Sequence, residues 1–354
     1  MPEEILQQAP DRIRALFISA GNPLHSTPHP DWQRALQQLD LVVCVDIYKN
    51  ETAAVAADYL LPATDMFERS DFPLSHMPLQ AEPLAQYTGP VVHPKFERRE
   101  EWRIFTDILM ASGAPRLPDK PLAILARVNQ LLEYTPGKRQ LDPDQLLALL
   151  LRLGGKVSLK QLIDQPQGMR LPNNRAGTFL GARQKQTINL APERILNDLP
   201  RLAQYAANVS VQGTAAANRE FYLIGRRSRK SHNSWMHHNK DIRQAHSNQV
   251  YLHPADAGSH AIGEGDWVRI SCNGRSISLP VAITNDIMPG VIAVPHGWGQ
   301  QAGADQKGLR GQNINWIIPG GYEYMEPASG QAIMLGHRVS IDKLPRLDPL
   351  SSQS

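Results

Sequence analysis

Three stretches collect side chains suited to gripping a flat, anionic ligand. Gly225 to Ser234 reads Gly-Arg-Arg-Ser-Arg-Lys-Ser-His-Asn-Ser and follows an apolar run, so cationic and backbone donors gather past a strand end. Such donors suit pyrophosphate and ring oxygens. On composition alone the same run reads as a solvated basic loop. His296-Gly297-Trp298-Gly299 comes directly after the β-rich run Val291 to Pro295. Glycines there let backbone approach a flat ligand, and the histidine is a switchable donor. Gly311-Gln312-Asn313-Ile314-Asn315-Trp316, with Glu326 to Gly330, offers amides that read a donor–acceptor edge. Near the amino end, Gly21-Asn22-Pro23 and Asp46 each stand just past an apolar run.

The elements that must position these groups are legible. Leu16-Phe17-Ile18 reads as a buried strand, Trp32, Ala35, Leu36 and Leu39 as one helix face, and Leu41 to Val45 as a second strand. Thr52 to Ala57 is a short helix and Tyr59-Leu60-Leu61 a third strand closed by Pro62. Alternating strands and helices predict a parallel sheet, whose ligands lie beyond the strands' carboxyl ends. Glu100 to Ser112, Leu122 to Tyr134 and Gln145 to Leu153 read as amphipathic helices, and Ser158 to Asp164 as a shorter one. Ile188 to Glu193 reads as a short strand leading to a helix over Arg194 to Ala206. From Glu220 the pattern changes to short strands: Phe221 to Arg227, Gln249 to His253, Trp267 to Ser271, Ser276 to Ala282 and Val291 to Pro295. Pro254 to Ser259 is a helix among them, and Asn273-Gly274 is a hairpin turn. Many short strands with regular turns imply a compact β-barrel.

The run Gly21-Asn22-Pro23, Asp46, Glu51-Thr52-Ala53 and Ala57 to Pro62 resembles a signature of the molybdopterin oxidoreductases of the dimethyl sulfoxide reductase family. Glu97 to Arg103 resembles the continuation in formate-dehydrogenase-like members, and Phe221 to about Gly336 resembles the family's dinucleotide-binding double-psi barrel. The resemblance implies that Gly21, Asn22 and Pro23 lie near a nucleotide and that Asp46 accepts hydrogen bonds from guanine. It turns the basic run into a pterin-contacting loop with Arg226 (or Arg227 in its place), His232 and Asn233. It also sets His296 and Trp298 against the pterin and gives Asn313 and Asn315 to its edge. The chain departs from the family pattern where Ser70-Asp71 replaces a glycine and Glu326 replaces an aspartate.

The 354 residues suggest two or three domains of about 100–200 residues. A net charge of +3 fits an anionic ligand, and no basic patch interleaved with aromatics argues for nucleic acid. Cys44 and Cys272 are too few for an iron–sulfur cluster and read as buried free thiols. His76-Met77 reads as loop surface rather than a metal site. No apolar run approaches the ~20 residues of a membrane span, and the polar, acidic Met1 to Pro10 has no signal-peptide pattern. Glycine-rich dinucleotide, Walker, nucleophile-elbow and zinc spacings are absent.

The expected architecture is α/β. Residues 1–115 form a partial doubly wound αβα layer, 116–218 a helical and irregular connector, and 219–354 the double-psi β-barrel. The resemblance covers the C-terminal half of the family's chain. It implies a molybdenum bis(molybdopterin guanine dinucleotide) cofactor, with the metal ligand and any iron–sulfur cluster in an N-terminal half or companion catalytic subunit. An electron-transfer partner, a cytoplasmic location and inactivity of the chain alone complete the expectation. A non-catalytic scaffold of the same fold and a general guanine-nucleotide module are the competing readings.

Overall fold

The structure is a computed structural model that describes residues 1–73, 76, 80, 82, 84–112, 131, 142–154, 157–171, 189–211, 220–227, 233–234, 248–299 and 311–345. The chain divides into two compact units. One comprises Met1–Cys44, Tyr48–Leu60 and Leu190–Ser354, the other Val45–Ile47 and Leu61–Asn189.

The amino-terminal sheet follows the order β1 (Ala15–Ser19), β2 (Leu41–Asp46), β3 (Tyr59–Pro62). Asp58 N–H donates to the Val42 carbonyl and Ala63 N–H to the Asp46 carbonyl, so β2 and β3 advance together as parallel neighbours. The helix Trp32–Gln37 turns Trp32, Ala35 and Leu36 inward against Ile18, Val42 and Cys44, and Ala53 of the helix Glu51–Ala56 joins them. Cys44 is buried and outside any disulfide, as its apolar setting suggests. Two short helices escape the sequence patterns. Pro2–Leu6 is acidic, yet its Ile5 is fully buried, and Pro23–Ser26 uses Pro23 as its first residue after Asn22.

In the second unit, β4 (Leu84–Ala85) pairs antiparallel with β5 (Met169–Arg170). Ala85, Val157 and Leu162 form a small core there. Val45, Ala63 and Ile104 form another, with Ile104 carried by the helix Glu101–Ala111. The helix Leu159–Asp164 begins at a full capping box, Ser158 and Gln161 satisfying each other's backbone N–H. Pro143–Gly154 is helical as its leucine periodicity requires, whereas the expected helix Leu122 to Tyr134 lies outside the described residues except for Leu131.

The carboxyl-terminal strands β6 (Glu220–Arg226), β7 (Val250–Leu252), β8 (Trp267–Cys272), β9 (Arg275–Ile283), β10 (Val291–Pro295) and β11 (His337–Lys343) close into a barrel in the order β10-β6-β11-β8-β9-β7. The pairs β6–β10 and β7–β9 are parallel, and the others are antiparallel. Alternating residues from all six strands fill the interior, among them Phe221, Leu252, Ile270, Leu279, Ile292 and Ile341. Asn273 and Gly274 both take positive φ, as a two-residue hairpin between β8 and β9 demands.

Two sequence expectations are corrected. Of the strand expected over Ile188 to Glu193, the described residues Asn189 to Pro192 are not a strand and Leu190 lies 89% exposed, while Glu193 opens a helix. The helix expected over Arg194 to Ala206 is two helices, Glu193–Leu196 and Leu199–Val211. The break falls at Asn197-Asp198, two residues ahead of Pro200, whose missing N–H is tolerated in the first turn of the second helix.

Candidate functional site

The register β6–β10 sets Pro295 beside Arg226. His296 N–H donates to the Arg226 carbonyl at 3.3 Å, so the loop after β6 and the corner after β10 leave the barrel side by side. His296 Nε2 lies 3.0 Å from Asn233 Oδ1, and Arg227 Nη1 donates to that same oxygen at 3.5 Å. The Arg226 guanidinium lies 4.2 Å from the centre of the Tyr251 ring, where cation–π attraction holds it without using its N–H donors. Burial, reinforced by the charge of Arg227, pushes the His296 pKa down. A neutral imidazole there is a hydrogen-bonding group, and the fixed positive charge comes from the two arginines. His232 lies outside the described residues.

The glycines of the corner serve the chain itself. Gly297 has φ +87° and a Cβ there would stand 2.3 Å from the Asn233 carbonyl oxygen. At Gly299, with φ +79°, a Cβ would stand 2.3 Å from the Asn313 nitrogen. Close approach is therefore of backbone to backbone, where the sequence suggested backbone to ligand. Trp298 between them is buried, only 6% exposed, so its ring belongs to the packing.

Gly21-Asn22-Pro23 is held by the start of the helix Glu51–Ala56. Asn22 Nδ2 donates to Glu51 Oε2 at 3.0 Å, while its Oδ1 accepts from Thr52 Oγ1 at 2.8 Å. Asn50 caps the helix by accepting from Ala53 N–H and donates to the Gly21 carbonyl at 3.1 Å. The next turn meets the barrel. Asn313 Nδ2 and Asn315 Nδ2 both donate to the His25 carbonyl at 2.9 Å, and Asn313 Oδ1 accepts from Asn315 N–H at 3.0 Å. Both amides expected at a ligand edge thus give a donor to the chain itself. Asn315 Oδ1 is buried without a partner. Asn248 holds the same corner, with Oδ1 accepting from Gln312 N–H at 2.6 Å and Nδ2 donating to the Pro295 carbonyl at 3.4 Å.

Sequence reasoning missed His25 and Asn248. His25 lies within the short helix Pro23–Ser26 and Asn248 just ahead of β7, each a lone polar residue with no spacing or motif to distinguish it.

Asp46 falls in the second unit, at the end of β2, and its carbonyl accepts from Ala63 N–H at 3.2 Å. That unit contains a cavity of about 460 Å³ lined by Thr64, Arg98, Arg99, Glu100, Trp102 and Arg103 among others. Trp102 Nε1 donates to Glu100 Oε2 at 2.9 Å, and burial raises the Glu100 pKa. The buried Thr64 hydroxyl finds no partner. Guanidinium donors, a carboxyl acceptor and an indole face equip this cavity for a polar heterocycle or an anion. Among the described residues no group of three or more His, Cys, Asp and Glu is placed to hold a metal ion. No helix among them is long and apolar enough to cross a membrane.

The two arginines and the imidazole at the end of the barrel suit an anionic ligand. Comparison with known proteins agrees. Residues 2–111 match the family model for molybdopterin oxidoreductase, and residues 221–332 that for the molydopterin dinucleotide binding domain. The chain is 25% identical over 347 residues to the probable oxidoreductase YoaE of Bacillus subtilis, covering 96% of this chain and 46% of that protein. It is 26% identical over 326 residues to the thiosulfate reductase molybdopterin-containing subunit PhsA of Salmonella typhimurium, covering 85% and 40%. Acetylene hydratase from Pelobacter acetylenicus shares the fold with a TM-score of 0.62 at 19% identity, covering 97% of this chain and 46% of that one. The chain thus spans less than half the length of these relatives. With both models matched in the order the fold displays, this chain belongs to the molybdopterin oxidoreductase family.

Proposed function

We propose that the chain is the part of a molybdenum-dependent oxidoreductase, formate-dehydrogenase-like in character, that holds the pterin and guanine dinucleotide portions of a bis(molybdopterin guanine dinucleotide) cofactor. The observation that carries this is the meeting of Arg226, Arg227, Asn233 and His296 at one end of the barrel. The parallel pairs β6–β10 and β7–β9 support a double-psi barrel, and the matched spans 2–111 and 221–332 support boundaries near residues 115 and 218. The charged run Glu97 to Arg103 supports the formate-dehydrogenase-like assignment.

The bound cofactor would supply the two-electron chemistry at its metal; the protein supplies binding, orientation and field. Arg226 and Arg227 neutralise phosphate charge. His296 and Asn233 orient the ring edge, and Asn313 and Asn315 keep the Asn22–Ser26 turn fixed beside them. Asp46 accepts from the guanine ring. A companion portion of the enzyme supplies the metal ligand and any iron–sulfur cluster, so this chain alone does not turn over substrate, and an electron-transfer protein completes the assembly in the cytoplasm.

The test is the molybdenum and released GMP content of the assembled protein, for the unmodified chain, Asp46→Ala and Asp40→Ala. Asp40 sits on the surface beside Arg12 and Arg14 and serves as the control. Loss of both signals in Asp46→Ala alone is expected. Equal contents in the two variants refute the role of Asp46, and a folded assembly without molybdenum refutes the cofactor reading in favour of a scaffold.

A further inference from the structure

The turn fastened by Asn313 and Asn315 carries a histidine with unsatisfied ring nitrogens. His25 is 4% exposed, and neither ring nitrogen closes a hydrogen bond. The Glu51 carboxylate stands 3.6 Å from Nδ1, and the Gly297 carbonyl faces the ring. Both neighbours are acceptors. A neutral imidazole has one N–H, so it can satisfy one of them and must turn a lone pair toward the other. An imidazolium satisfies both.

Burial, aided by His296 from the corner after β10, pushes the His25 pKa down against the opposing pull of Glu51, from the helix Glu51–Ala56, and of the Gly297 carbonyl. Arg227, after β6, acts on His296 in the same sense. The other polar neighbours on these elements, Asn22, Thr52, Asn313 and Asn315, are uncharged.

We propose that His25 is a positioning residue that takes up a proton from solvent when an anionic ligand occupies the end of the barrel. The inference rests on the cofactor reading above. Phosphate charge against Arg226 and Arg227 makes the field at that end of the barrel more negative and adds to the pull of the Glu51 carboxylate. The imidazolium then bridges Glu51 and the Gly297 carbonyl and locks the corner that carries His296. The ring nitrogens are buried, so His25 acts through Gly297 and Glu51 rather than by touching the ligand.

Proton uptake on binding fixes the sign. Binding is tightest at low pH and weakens as pH rises between the His25 pKa of the free chain and that of the occupied one. One linked proton changes the affinity by up to about tenfold per pH unit in that interval. The experiment dialyses the full cofactor-loaded assembly at values from about pH 5 to about pH 8 and reads the retained pterin by fluorescence of its oxidised form. Retention by the unmodified chain falls as pH rises, while His25→Gln, which keeps a donor but cannot charge, gives a shallower profile, its remaining slope belonging to His296. Glu51→Gln flattens it too and provides the same test if His25→Gln fails to fold. A flat profile in the unmodified chain, or an unchanged slope in a folded variant, overturns the proposal. A folded assembly without pterin at any pH refutes the cofactor reading instead. Inorganic pyrophosphate, titrated over the same range, then decides the proton linkage by the same slopes.

Discussion

Replacing Asn313 by Ala tests whether this side chain serves the fold or the ligand. Its amide donates to the His25 carbonyl at 2.9 Å and its oxygen accepts from Asn315 N–H at 3.0 Å. The His25 carbonyl keeps its second donor from Asn315, so losing the first costs about 1 kcal/mol. The Asn315 N–H, in a part-buried position, loses the acceptor that holds it, which costs about 1–2 kcal/mol. Together the change amounts to about 2–3 kcal/mol. At about 2–4 °C per kcal/mol for a unit of this size, the melting temperature of the ligand-free chain falls by about 5–10 °C in calorimetry. Asn315→Ala is the informative partner. It removes one amide donor but also an oxygen buried without a partner, so the loss and the relief offset and the net change is about 1 kcal/mol or less. An unchanged midpoint for Asn313→Ala, or a larger fall for Asn315→Ala, would refute this assignment of roles.

Two further outcomes follow from named contacts. Gly297→Ala should lower the melting temperature well beyond Gly290→Ala. Both glycines have positive φ, +87° and +78°, but a Cβ meets the Asn233 carbonyl only at Gly297 and nothing within 4 Å at Gly290; equal falls would show that the corner yields freely. The Glu68 carboxylate accepts from Asp65 N–H and pairs with Arg98, which hold its pKa below the ordinary range. Its stabilising effect is therefore present above the unfolded-state pKa and lost as pH falls through the depressed one. Glu68→Gln should flatten the acid limb of an unfolding curve followed by tryptophan fluorescence, and an identical acid limb in the variant counts against this.

Legibility in the sequence tracked how local the controlling interaction is. The runs at Ala15–Ser19, Leu41–Asp46 and Val291–Pro295 are strands because each carries its own apolar code. β11 escaped because His337-Arg338-Val339-Ser340-Ile341-Asp342-Lys343 has only two apolar residues, although Val339 and Ile341 are both buried. Its partners, β6 and β8, lie more than sixty residues away, and only their pairing turns a polar stretch into the strand that closes the barrel. The basic loop and the His296 corner were located through family resemblance. Their adjacency is a product of the β6–β10 register, which no spacing encodes.

The site shows the same division between what a residue offers and what its neighbours leave available. Asn22, Asn313 and Asn315 are amides suited to reading a ring edge, yet each spends donors on the Asn22–Ser26 turn and the helix beside it. Their consumption fixes the turn against the barrel before any ligand arrives. Among the described residues, groups placed to act toward an anion include the cationic Arg226, stacked on Tyr251, and Arg227, with the switchable His296. On the proposed reading, the arginine charges attract phosphate at long range and a few short contacts order it, because the backbone beneath them is clamped. On the same reading, specificity for the ring then falls to Asn233 and His296, whose side chains meet at the end of the barrel, because the Asn315 oxygen is enclosed by the protein and out of reach of a ligand.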